Sequence, residues 1–368
     1  MLTTTMQLKN LSLIILTFNR PHYLLRLLKF ISKSTFNAQV IIADASFSDI
    51  KKLNRSAVGD FGEYLSISPD MDMYQTMVEA LSLVNRPYVQ FVADDDFPIL
   101  KTSQKLCEIL DQDVLASCAI GKFEYLSTGT WFNQEIPLGL NSILMVSNSY
   151  LQDSAIDRLL FHKRSGEGKV KDSLLPSYSV MRSDLAKHIY SNLLEYKGAT
   201  HKWVEISAGT ALLILGKIYL HSSVGVYRTM HGKNGALVSG TKHIKDDSGD
   251  QSKIRPDFLD NSIRHALDVI SNHAVPLLEA NSSKLSNLYT QAYVGIYLSR
   301  FRLSEISQAR EKIGNTEIFI IKIIRIVRRK IYNFFLIRIP YFFRLIRLLI
   351  SPRNADLRHI FYLVLNTK

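Results

Sequence analysis

Cysteine is scarce in this chain: Cys107 and Cys118 are the only two in 368 residues. Two thiols cannot form a disulfide framework or a four-ligand zinc site, and their scarcity suits a reducing compartment. Long apolar runs are missing as well. Leu11–Leu16 is too short for a signal-peptide core and reads as a buried first strand, so the chain is expected to begin in the cytosol. Near the other end, the longest charge-free stretch between Glu317 and Arg353 (Ile331 to Ile337) is seven residues, whereas a membrane-spanning helix needs about twenty. Acids are nearly absent from that tail: Glu317 to Arg353 holds nine basic residues and one acid. The segment supplies +8 of the net +12, which leaves the other 331 residues near +4 and removes the support for a nucleic-acid partner.

With 46% hydrophobic and 21% charged residues, the composition is that of a globular chain. Residues 11–100 alternate strand and helix. Leu11–Leu16 and Val40–Ala43 are apolar runs of the kind buried on both faces, Tyr64–Ile67 is a third strand, and Tyr88–Ala93 a fourth. Pro21 opens a helix with apolar residues at helical spacing, and Met73–Val84 forms another. Ser103–Asp111, Ser183–Leu194 and Val204–Leu215 also have helical character, while Ser179–Arg182, Ile218–His221 and Val224–Tyr227 look like strands. This order predicts a doubly wound, mostly parallel α/β sheet whose ligand crevice lies at the strand C-termini. Composition divides the chain into an α/β part at 1–240, a polar linker at 241–256, a helical extension at 257–316, and a basic amphipathic tail at 317–368.

Thr17, Asn19, Asp44 and Asp94-Asp95-Asp96 all fall at the ends of those strands. Three consecutive carboxylates raise one another's pKa and repel unless a cation neutralises them. Hard oxygen ligands with open positions suit Mg²⁺ or Mn²⁺, which bridges phosphate oxygens in turn.

Four segments, Ile-Ile-Leu-Thr-Phe-Asn-Arg (14–20), Ile-Ile-Ala-Asp (41–44), Arg-Pro-Tyr-Val-Gln-Phe-Val-Ala-Asp-Asp-Asp-Phe (86–97) and Val-Tyr-Arg-Thr-Met-His (226–231), occur in the order found in inverting glycosyltransferases of family 2. The chain resembles that family, and the resemblance implies a GT-A fold (Rossmann-like sheet flanked by helices) with a C-terminal helical extension. It also implies transfer of a sugar from a nucleotide-diphosphate donor, a UDP-sugar first, to a glycan or lipid-linked glycan hydroxyl with inversion. By the same resemblance Thr17 and Phe18 hold the nucleobase, Asp44 contacts the base, and Asn19 and Arg20 help seat the nucleotide. Within the triplet one carboxylate reaches the ribose and a later one binds Mn²⁺ or Mg²⁺. Asp94 and Asp95 are therefore donor contacts and Asp95 and Asp96 metal ligands, the frame being left open. His231 is a further metal contact, and Arg228 and Lys233 suit the diphosphate. Glu205 is the acceptor base with Asp172 as the alternative, and Trp203 is a stacking platform for the acceptor.

Two departures from the family are visible. Ile206 stands where a second acid usually follows the base, and Met77-Val78 replaces an Arg-Asn pair, with Gln75, Thr76 and Glu79 as the nearest polar residues. A sugar nucleotidyltransferase would also need acidic metal ligands, but Thr17–Pro21 lacks its Gly-rich phosphate loop. A decayed, membrane-bound scaffold is the other alternative.

The tail places Lys322, Arg325 and Arg329 on one helical face opposite Phe319, Ile320, Ile323, Ile324, Ile326 and Val327. Pro340 then interrupts, and Tyr341–Ile350 repeats the mixture. This pattern reads as two in-plane helices on an anionic membrane surface, making the protein peripheral on the inner face of the cell membrane.

Overall fold

Leu11–Thr17 forms strand β1, and its continuous apolar run is explained by two cores, one on each face of the sheet. Ile14 points into one core; Leu13 and Ile15 point into the other. The computed structural model describes residues 8–131 except 35, 134–142, 148–162 except 156, 159 and 160, 176–194, 208–231 except 210, and 355–365. Neighbouring β1 are β2 (Gln39–Asp44) and, beyond it, β3 (Glu63–Ser66), both parallel. On the other side lies β4 (Tyr88–Ala93), also parallel.

Beyond β4 the sheet becomes mixed, so the described residues form an α/β sheet of nine strands flanked by helices. The remaining strands are β5 (Phe97–Pro98), β6 (Ala116–Trp131), β7 (Gln134–Ser142), β8 (Val180–Arg182) and β9 (Lys217–His231). Short β8 sits antiparallel between β4 and β6, and β9 then runs parallel to β6. β5 closes on β9 in antiparallel register, and β7 folds back on β6 as a hairpin.

Helix α1 (Pro21–Ile31) starts on proline, whose fixed φ suits a first helical turn. α2 (Ser48–Val58) follows β2, and α3 (Met73–Ser82) begins with a capping box. Asp72 accepts there from the Tyr74 and Gln75 amides, while the Gln75 side chain accepts from the Asp72 amide. Gln75 and Glu79 are exposed, and the Thr76 hydroxyl donates back to the Asp72 carbonyl. Further helices are α4 (Leu100–Gln112), α5 (Ser183–Leu194) and α6 (Ala355–Leu365), and residues 211–215 are helical as well.

Three features differ from the sequence expectation. α2 buries only Asn54 and Val58 and leaves Leu53 exposed, so its apolar period is too weak to stand out. The long hairpin β6–β7 carries glycines and Pro137, which interrupt the alternation that marks a strand. The segments 218–221 and 224–227 are one strand, β9, whose pairing with β6 shifts register near Ile120 to Phe123. Two glycines allow the crossing: a Cβ on Gly121 would lie 2.7 Å from the Gly225 Cα.

The end of the basic tail does not belong to a surface-seeking segment. In α6, Ile360, Leu363 and Val364 are buried in the core that also contains Phe30 of α1 and Leu140 of β7. His359 stacks on Phe30 at 5.7 Å, and the Lys33 ammonium lies 3.0 Å from His359 Nδ1. The linker, the helical extension and residues 317–354 lie outside the described residues. No helix among the described residues is long and apolar enough to cross a membrane.

Candidate functional site

Strand register gathers the acids and their partners. Thr17 pairs across from Asp44, and Leu16 across from Ala93, so the C-terminal ends of β1, β2 and β4 are level. The Asp94 amide bonds to the Leu16 carbonyl, and a tight turn, closed by the Asp96 amide on the Ala93 carbonyl, presents the triplet. β5 then pairs with β9, which brings Arg228 and Thr229 up to the same turn.

Each carboxylate has its own surroundings. Asp94 points inward: the Thr17 hydroxyl donates to one of its oxygens at 2.7 Å, and Arg20 Nη2 lies 2.5 Å from the other. Asp95 is the most exposed of the three and accepts from Arg20 Nη1 at 2.8 Å. Asp96 accepts from the Tyr178 hydroxyl at 2.6 Å and the Thr229 amide at 2.8 Å, with Arg228 Nε 3.5 Å away. Beneath the turn, the Asp95 carbonyl accepts from the Thr229 hydroxyl at 2.5 Å and from Arg26 Nη2 at 3.2 Å. Arg26 is almost wholly buried, with its guanidinium 4.7 Å from the Tyr23 ring centre and 5.0 Å from that of Phe97.

The protonation equilibria follow from this packing. Burial first, and then Asp95, push the Asp94 carboxyl up to about 7 against the opposing pull of Arg20. Burial and Asp95 likewise raise Asp96 to about 6, despite Arg228, Tyr178 and the Thr229 amide. Arg20 is held more firmly protonated than usual: burial acts against its charge, but Asp94 and Asp95 outweigh it.

The structure thus brings together Thr17, Arg20, Asp94, Asp95, Asp96 and Arg228, with Phe18 and Asn19 on the adjoining turn. Asn19 is not the N-cap of α1, a position held by Arg20. Instead its amide donates to the Ser46 hydroxyl at 2.7 Å and its side-chain oxygen accepts from the Phe47 amide at 3.0 Å. Its φ of 55° places it in the left-handed region, which asparagine tolerates better than most residues.

Asp44 is fully buried at the end of β2, and its carboxylate accepts from the Ser46 amide, the Asn54 side chain and the Tyr64 hydroxyl. Asp172, Trp203, Glu205 and Lys233 lie outside the described residues, as does the side chain of His231.

Tyr178, Arg26, Thr229 and Phe47 escaped the sequence reading. A signal did exist for Arg26: positions 23, 26, 27 and 30 are one buried helical stripe, and Arg26 lies on it. Tyr178 and Thr229 reach the triplet across 82 and 133 residues of sequence, so nothing local marks them.

Among the described residues no three acidic, histidine or cysteine side chains converge as a ready-made metal cage. Arg20 and Arg228 lie against the three carboxylates, and the Arg26 guanidinium sits beneath the same turn. Asp95, the least buried of the three, is a hard oxygen donor of the kind a divalent cation takes, whereas Asp94 is engaged by Thr17 and Arg20, and Asp96 by Tyr178 and the Thr229 amide.

No protein-family profile and no curated protein sequence matches the chain. Solved structures do resemble it in part. S. aureus TarS 1–349 in complex with UDP-GlcNAc is 16% identical, with 77% of this chain and 72% of that one covered and a TM-score of 0.47. The complex of the same TarS fragment with UDP is 15% identical, with 75% and 69% covered and a TM-score of 0.45. Glucosyl-3-phosphoglycerate synthase from Mycobacterium tuberculosis, in complex with Mn²⁺, UDP and phosphoglyceric acid, is 14% identical, with 60% of this chain and 70% of that one covered and a TM-score of 0.36.

Proposed function

We propose that the chain is an inverting, metal-dependent glycosyltransferase of the GT-A type that moves a sugar from a nucleotide-diphosphate donor to a hydroxyl of a glycan or lipid-linked glycan in surface polysaccharide synthesis. One observation carries the reading: three carboxylates stand between two guanidinium groups at the C-terminal ends of β1 and β4, where β9 returns to the turn. A sheet crevice of this kind seats phosphorylated ligands.

In this reading Thr17, Phe18, Arg20 and Asp94 shape the nucleotide end, and Asp95 and Asp96 would hold Mn²⁺ or Mg²⁺, joined by His231. The cation, when bound, neutralises the diphosphate as the bond to the sugar breaks. Arg228 and Lys233 add positive charge for the same oxygens. Glu205, with Asp172 as the alternative, takes the acceptor proton while the hydroxyl attacks the anomeric carbon from the face opposite the leaving group. Trp203 offers the acceptor sugar an aromatic face. The basic stretch before Arg353 would hold the enzyme on an anionic inner membrane surface, where a lipid-linked acceptor is anchored.

Titrating the purified protein with UDP in the presence of Mn²⁺ tests this. Binding is expected, with loss of about tenfold or more in Asp95→Ala and Asp96→Ala, as for removal of a charged contact. Glu205→Gln should keep donor binding and lose transfer. Unchanged UDP affinity in both Asp variants would sink the metal assignment, and retained turnover in Glu205→Gln would move the base to Asp172.

A further inference from the structure

Tyr178 closes a single 3₁₀ turn, Pro176–Tyr178, just ahead of β8. The turn is tied twice. The Ser179 amide and hydroxyl donate to the Pro176 carbonyl at 3.0 and 2.7 Å, and Gln90 Nε2 of β4 donates to the Tyr178 carbonyl at 3.2 Å. Gln90 is itself held, since its side-chain oxygen accepts from the Ser103 hydroxyl of α4 at 2.8 Å. The backbone of Tyr178 is therefore fixed to the strand that delivers the carboxylate triplet.

Its ring is placed as firmly. It belongs to the core that contains Phe91 and Val226, and it stands edge-on to Phe123 of β6 with centroids 5.6 Å apart and planes at 73°. The Arg228 guanidinium lies 4.5 Å from the ring centre, and 5.6 Å from that of Tyr125. With ring and backbone both fixed, the hydroxyl oxygen is fixed as well, because it lies on the axis of the ring.

A buried tyrosine hydroxyl needs a hydrogen-bond partner, and any carbonyl would serve. Here the partner is Asp96 Oδ2 at 2.6 Å. Arg228 Nε stands 3.5 Å from the same oxygen, and on Oδ1 the Thr229 amide donates at 2.8 Å. Donors from two separate elements, one on each oxygen, hold the plane of the carboxylate against rotation. Each oxygen carries two lone pairs, so one hydrogen bond on each does not exhaust the group.

Resting on the metal-dependent reading above, we infer that Tyr178 is a positioning residue for transfer: its hydroxyl sets the orientation in which Asp96 meets the divalent cation. In this role it acts through Asp96 and touches neither donor nor acceptor. Partners that hydrogen-bond behind a metal ligand change metal affinity by about 10- to 100-fold when they are removed.

The experiment measures Mn²⁺ binding to the full chain without nucleotide, by electron paramagnetic resonance of the free ion, in the wild type and in Tyr178→Phe. The substitution keeps the ring against Arg228 and leaves the Thr229 amide on Asp96, so the fold should survive. Tyr178→Phe is expected to bind Mn²⁺ about 10- to 100-fold more weakly. UDP affinity with Mn²⁺ present is then compared in Tyr178→Phe, Asp96→Ala and the double variant. Because the hydroxyl acts through Asp96, the double variant should bind UDP no more weakly than Asp96→Ala alone, whereas a packing role would make the two losses multiply. Unchanged or tighter Mn²⁺ binding by Tyr178→Phe, or losses that multiply in the double variant, would overturn the inference. A Tyr178→Phe chain that no longer folds would overturn it too, since the hydroxyl would then serve the fold. A wild type that binds no Mn²⁺ would instead overturn the metal-dependent reading on which the inference rests.

Discussion

Arg20 Nη2 lies 2.5 Å from Asp94 Oδ1, while Nη1 of the same guanidinium lies 2.8 Å from Asp95 Oδ2. One side chain thus spans two consecutive carboxylates, a geometry that the planar fork of arginine supports and lysine does not. The turn Phe18-Asn19-Arg20 is fixed through Asn19, so the guanidinium is delivered to the triplet before any ligand arrives. Arg20 is the resident counter-ion of this cluster.

That role sets up a competition. A divalent cation seated on Asp95 and Asp96 would be repelled by Arg20, by roughly 2 kcal/mol for a charge of two against one about 4 Å apart in a water-like dielectric. Arg20→Gln should therefore bind Mn²⁺ alone about thirtyfold more tightly, read as free Mn²⁺ by electron paramagnetic resonance. The same variant should bind UDP more weakly, because the diphosphate loses a cation. Weaker Mn²⁺ binding would show instead that Arg20 serves to position the carboxylates.

Acidity of the cluster gives a second prediction, for the cation-free protein. An unfolded aspartate titrates near about 3.9. Folding raises Asp94 to about 7 and Asp96 to about 6, chiefly by burial. Between those values the native state binds more protons than the unfolded state, so the contribution of this pair to stability falls as pH rises. It is fully present below the unfolded pKa and is lost as pH climbs through the folded ones. With chelator present, the unfolding free energy of the wild type relative to Asp94→Asn should decline from pH 5 to pH 7.5. A difference that stays flat or grows across that window would contradict the assignment, and comparison with Asp94→Asn cancels titrations elsewhere in the chain.

What could be read from the sequence follows from how local each signal is. β1, β2 and β4 are legible because burial on both faces demands unbroken apolar runs, and the acids behind them mark the crevice. The convergence of Thr17 and Asp94 follows from parallel register alone. The partners of Asp44 are not legible, because a strand-end aspartate looks the same in sequence whatever asparagine and tyrosine arrive 10 and 20 residues later. Tyr178 and Thr229 depend on how β8 and β9 insert into the sheet, and the shifted register of β6 and β9 has no short-range code.

The basic stretch and the helix that follows it separate into two testable parts. Residues 318–350 hold eight Lys or Arg among apolar residues, and each basic residue near an anionic surface is worth about 1 kcal/mol. α6 instead buries Ile360, Leu363 and Val364 against the domain, next to the His359–Phe30 stack. Removing the whole C-terminal region would therefore confuse loss of membrane contact with damage to the core. Deleting 318–350 alone should leave UDP binding and the melting temperature near wild type while abolishing sedimentation with phosphatidylglycerol vesicles. Ile360→Ala should do the reverse, costing about 2–5 kcal/mol of stability through a buried cavity while vesicle binding persists. If the 318–350 deletion still sediments with vesicles, the membrane contact lies elsewhere; if Ile360→Ala melts like the wild type, α6 is not part of the folded domain.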